Sequence, residues 1–149
     1  MKKTKLTAIL AAALTVAAVP ASAVDRELPA MTQAQAAGIE RVTAPFFAAL
    51  KDKAYAKAYT DLFAGTLFAT KTVEVQQLVS QTTFIFETYG TIERWEVFDS
   101  ECAAADLCRV KIAAFTANGP VFFWLSLYRW NDAWKPNYIL LGDTPQFVY

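Results

Sequence analysis

Residues 119–141, GPVFFWLSLYRWNDAWKPNYILL, decide the fold. A strand with one wet face alternates apolar and polar residues, yet between Val121 and Trp130 only Ser126 and Arg129 are plainly polar. Both faces of this strand therefore need cover. Asn118-Gly119, just before it, is the strongest turn signal in the chain and predicts a two-residue type I′ hairpin loop. Counting outward from that loop, Thr116 faces Val121, Ala114 faces Phe123, Ile112 faces Leu125 and Val110 faces Leu127, all on one nearly aliphatic face. On the other face Phe115 meets Phe122, Ala113 meets Trp124, Lys111 meets Ser126 and Arg109 meets Tyr128. One face reads as core, and the other is an aromatic end grading into a basic, polar one.

Working outward, TIERWEVFDS, LCRVKIAAFTA, PVFFWLSLYRW and AWKPNYILL are four strand candidates separated by short turns. The last hairpin turns on Asn131-Asp132, with Ala133 either in or out of the loop, and Pro136 places its strand at an edge or a bulge. Upstream the period is helical. Ile39, Val42, Phe46 and Leu50 form one apolar face, interrupted by Pro45, so that this is one kinked helix or two short ones. A turn at Asp52-Lys53 precedes a second helix carrying Tyr55, Tyr59, Leu62 and Phe63. A third carries Val75, Leu78, Val79, Thr82, Phe86 and Tyr89 and ends at Gly90, a C-cap glycine. Helices first and an antiparallel meander afterwards predict an α+β domain with the helices packed on a curved four-stranded sheet.

The first 23 residues carry Lys2, Lys3 and Lys5, an apolar run from Leu6 to Val19, and Ala21-Ser22-Ala23. That is the layout of a secretory signal cleaved after Ala23, with an apolar run too short to span a membrane. Residues 24–32 read as a flexible lead-in and 33–149 as a single domain. Cleavage removes three of 14 Lys+Arg and none of 14 Asp+Glu, leaving 11 against 14 and no basic excess for a nucleic-acid backbone. A periplasmic or secreted protein without membrane insertion is expected. Cys102 and Cys108, with five residues between them in ECAAADLC, then fall in an oxidising compartment and read as a structural disulfide. Closing so short a loop is worth about 2 kcal/mol.

The segments FFAALKDKAYAKAYTDLF (46–63), YGTIERWEV (89–97) and YRWNDAWKPNYIL (128–140) resemble the nuclear-transport-factor-two-like superfamily, in particular its small exported members. The resemblance covers about residues 35–143. It implies a cone-like fold of the SnoaL-like or ketosteroid-isomerase-like kind, a pocket between helices and inner sheet face, and frequent dimerisation through the outer face. The superfamily holds both enzymes and binding proteins, so the fold does not choose between them.

Chemistry narrows the choice. The chain has no histidine, which removes the commonest general base and zinc ligand and every Ser-His or Cys-His pair. No metal ligand set, glycine-rich phosphate loop or nucleophile elbow is present, and no cofactor is expected. A cofactor-free isomerase or hydrolase would have to use Asp61, Glu96 or Asp99 as base and Tyr59 or Tyr89 as donor. The leading expectation is instead a non-enzymatic small-ligand-binding or accessory domain. Tyr59, Phe63, Tyr89, Leu125, Leu127, Arg129 and Asn137 are the candidate lining of a pocket for a small apolar ligand, unless they simply fill the core. Phe115, Phe122, Trp124 and Trp130 form an aromatic patch larger than a monomer usually exposes, which points to a homodimer. The alternatives are an envelope partner on the same face, or coverage by the lead-in or by DTPQFVY (143–149).

Overall fold

A computed structural model describes residues 28–144. The expected signal segment, residues 24–27 of the lead-in and residues 145–149 lie outside the described residues. Helices α1 (Gln33–Lys51), α2 (Tyr55–Leu62) and α3 (Thr72–Tyr89), with a 3₁₀ turn at Leu67–Thr70 before α3, precede strands β1 (Ile92–Ala104), β2 (Leu107–Thr116), β3 (Gly119–Trp130) and β4 (Ala133–Gly142). The strands form one antiparallel meander in the order β1-β2-β3-β4, and the helices cover one face of it. The α+β class read from the sequence is the class observed.

Each helix forms where its local chemistry favours it. Thr32 and Gln35 start α1 with a reciprocal capping box, the Thr32 hydroxyl accepting from the Gln35 N–H and the Gln35 amide oxygen accepting from the Thr32 N–H. Pro45 is accommodated inside α1, which runs on as one helix. Its inward face is Ile39, Thr43, Phe46, Phe47 and Leu50. Gly38 lets this helix approach β4, because a Cβ there would stand 2.5 Å from the Trp134 ring. Gly90 closes α3 with φ 94°, a conformation glycine adopts without penalty.

The β2–β3 register corrects the expected one. The loop is Ala117-Asn118, pairing Thr116 with Gly119, Ala114 with Val121, Ile112 with Phe123 and Val110 with Leu125. In this turn the positive φ falls on Gly119 (136°), after the corner, whereas a type I′ loop needs it at both corner residues. Side chains fix the choice. The Thr116 hydroxyl donates to the Tyr89 carbonyl at 2.7 Å, stands 2.8 Å from the Gly119 carbonyl and accepts from the Asn118 N–H at 3.3 Å. The Asn118 amide reaches the Thr88 carbonyl at 3.4 Å. The slip is two residues, one full period of the strand, so every side chain keeps its face.

The last hairpin turns on Asn131-Asp132, with φ 50° and 61°, and Ala133 pairs with Trp130. Pro136 meets both expectations at once: β4 is an edge strand, and its register shifts between Tyr138 and Pro136. Strand β1 carries three irregularities within its length, around Glu93, Phe98 and Ala103. The second turns Asp99 and Glu101 outward and Ser100 and Cys102 inward. Cys102 therefore faces its cross-strand neighbour Cys108 inside the core, where the two are joined by a disulfide. Beyond it, the Cys102 N–H donates to the Pro29 carbonyl and Ala30 bridges Glu101, so the last residues before α1 add to the edge of β1.

Asp132 pays the left-handed penalty that glycine avoids, of about 1–2 kcal/mol, and its side chain makes no hydrogen bond among the described residues. Asp132→Gly is expected to raise stability by about 0.5–1 kcal/mol once the greater freedom of unfolded glycine is subtracted. Urea unfolding at constant m-value measures this, and a lowered midpoint would contradict the turn assignment.

Candidate functional site

The inner sheet face and the helices meet through aromatic rings. Phe123 of β3 receives Phe47 edge-on at 5.0 Å and Phe46 at 6.1 Å, and lies parallel to Phe86 at 6.3 Å. Phe46 in turn meets Tyr59 at 5.2 Å. Tyr59, Phe63, Leu125 and Leu127, four of the seven candidate pocket residues, belong to this packed interior and are at most 1% exposed. The Tyr59 hydroxyl is satisfied by the Thr82 hydroxyl at 2.7 Å, so its polar tip is spent inside the core.

The other three stand apart. Tyr89 is half-buried at the end of α3 and donates to Asp143 at 2.7 Å. Arg129 is exposed at the opposite end of β3, where its Nε donates to the Asp106 carboxylate at 2.6 Å and its N–H to the Asp106 carbonyl at 2.8 Å. Asn137 is exposed beside a shallow cleft of about 270 Å³ with Phe68 and Tyr128. The carboxylates are likewise on the surface: Asp61 pairs with Lys57, Glu96 with Arg94 at 2.9 Å and Asp99 with Lys111 at 2.9 Å. None of the three is buried, and each already has a cation as partner. Among the described residues no group of three or more His, Cys, Asp or Glu is placed to hold a metal ion, and no helix is long and apolar enough to cross a membrane.

The outer sheet face is built differently. The Arg94 guanidinium lies over the Phe115 ring at 3.7 Å, and Arg109 and Lys111 both lie over Trp124, at 4.7 Å and 5.4 Å. Each cation also meets an acid from β1: Glu96, Glu101 and Asp99 respectively. These long side chains shield Phe115 and Trp124, which like Phe122 are half-buried. Phe98, at the β1 irregularity, adds an edge contact to Phe122 at 5.9 Å. Toward β4 the shielding stops. Tyr138 pairs with Ser126 and Leu140 with Trp124, and both are exposed, while Trp130 beside the last turn is 64% exposed. Counting the sequence by twos hides Phe98, since a bulge resets the count; Tyr138 and Leu140 were legible from the β4 alternation but not from the hairpin that dominates the signal.

Burial pushes the Tyr59 phenol well above its usual range, against a smaller opposite effect of the Thr82 hydrogen bond. Tyr89 is raised chiefly by the bond to Asp143, and Tyr55 by burial and the nearby Glu87. A folded-state value above the unfolded one of about 10 means stability that is complete below pH 10 and lost as pH rises through it. Tyr59→Phe is therefore expected to unfold at higher pH than the parent. At neutral pH it should cost about 1–2 kcal/mol, because Thr82 loses its partner, and Tyr59→Phe with Thr82→Val should recover part of that. Thermal midpoints across pH 7–11 measure all three.

Comparison of the chain with protein-family models, with curated proteins and with solved structures gives no match.

Proposed function

We propose that this chain is an exported, non-enzymatic accessory domain on a nuclear-transport-factor-two-like cone, acting through the outer face of its sheet, which pairs with a second copy. The observation that carries the reading is the contrast between the two faces: rings fill the inner one, whereas the outer one presents Trp124, Tyr138, Leu140 and Trp130 in partial or full exposure. Catalysis by a carboxylate and a tyrosine is disfavoured, since Tyr59 is sealed in the core and Asp61, Glu96 and Asp99 sit in exposed ion pairs. Export is supported by the layout of residues 1–23 and by the Cys102–Cys108 disulfide, a bond that persists in oxidising compartments.

A second copy suits this face because its charges balance. Arg94, Arg109 and Lys111 stand against Glu96, Asp99 and Glu101, so the same patch turned about a two-fold axis meets no net repulsion. Buried tryptophans dominate the energetics of such contacts. By native mass spectrometry at micromolar concentration the protein is expected as two chains, and Trp124→Ala, by loss of about 2 kcal/mol or more, as one. A parent protein that stays single overturns the pairing. A single-chain parent that loses capture of another envelope protein on Trp124→Ala would assign the face to a different partner.

A further inference from the structure

On the flank of the domain, away from the outer sheet face, α1, α2 and the start of β4 enclose a cleft of about 330 Å³. Its walls are Pro45, Phe46, Ala58, Leu62 and the indole of Trp134. Pro45 has no N–H to give to the Arg41 carbonyl one turn earlier, so this cleft lies where the hydrogen-bond ladder of α1 is interrupted. Two cations line it, Arg41 and Lys135. Arg41 has no ion-pair partner among the described residues. Lys135 donates to the Gly65 carbonyl at 3.1 Å, which uses one of its three donors. The acid lining the cleft, Asp61, is already paired with Lys57 on the preceding turn of α2.

An apolar floor under two cations that have no acid partner among the described residues selects for a ligand with a complementary pattern. Its tail must be hydrocarbon, and its head an anion able to take a guanidinium and an ammonium together. The volume is at the lower end of the range for small-molecule sites, which excludes a two-chain lipid. We infer that this cleft binds a free amphiphilic carboxylate of about the size of a medium-chain or aryl acid. Its head lies between Arg41 and Lys135, and its tail runs over Phe46 and Leu62 toward Trp134. The inference does not depend on the outer-face pairing, and either stands if the other fails.

Octanoate and 1-octanol, equal in chain length and different in charge, test it by amide and indole chemical shifts on titration of the protein. Saturable shifts with octanoate are expected at Ala58, Leu62, Trp134 and Lys135, with at least tenfold weaker binding of octanol. Arg41→Gln with Lys135→Gln, both outside the core, is expected to weaken octanoate at least tenfold and leave octanol unchanged, with the thermal midpoint checking that the fold is kept. Three results overturn the proposal: no saturable binding at millimolar octanoate, equal affinity for the two probes, or shifts centred on Trp124 and Leu140.

Discussion

The structure depends on one side chain, Phe123, at the middle of β3. Rings from α1 and α3 converge on it, Phe46 and Phe47 from the first helix and Phe86 from the third, and Phe86 carries Tyr55 of α2 stacked on it at 6.0 Å. All three helices are thus linked, directly or through one further ring, to this one position of the sheet. Truncation of a buried phenylalanine costs about 3–5 kcal/mol, which is a large share of the 5–15 kcal/mol that holds a domain folded. An interior between helices and sheet that is occupied in this way has little room left for chemistry there. The proposed pairing and the proposed ligand binding accordingly use surfaces, the outer sheet face and the flank between α1, α2 and β4.

Much of this was legible in the residues. The change from helical to alternating period near Gly90, the two faces of β2 and β3 and the edge or bulge position of Pro136 follow from spacing and backbone rules, and the Cys102–Cys108 disulfide from the compartment that residues 1–23 imply. What was not legible depends on atoms brought together by tertiary packing. The glycine of Asn118-Gly119 is placed after the corner because Thr116 and Asn118 bond to carbonyls at the end of α3, and no local propensity contains that helix. Likewise Arg129 lies on the inner side by parity, but Asp106 in the preceding hairpin holds it at the rim. The capping box of Thr32 and Gln35 was available in the sequence as a short motif and fixes the start of α1.

The outer face also revises what an aromatic run means. Phe115, Phe122 and Trp124 in a strand suggest a bare patch when area alone is counted. Here Arg94, Arg109 and Lys111 lie across the Phe115 and Trp124 rings while keeping their charges in contact with acids of β1. The energetic value of each such surface ion pair is small, and its main effect is to keep a hydrophobic strip soluble on the β1 side while leaving it open on the β4 side.

The bonds from Thr116 and Asn118 to the last carbonyls of α3 have a kinetic meaning as well. They tie the β2–β3 turn to the C-terminus of a helix that is distant from it in sequence, through groups that must release together. Fraying of α3 from Tyr89 inward and opening of the hairpin from its tip are therefore one event. Amide protons in these two segments should exchange with solvent as a single cooperative unit.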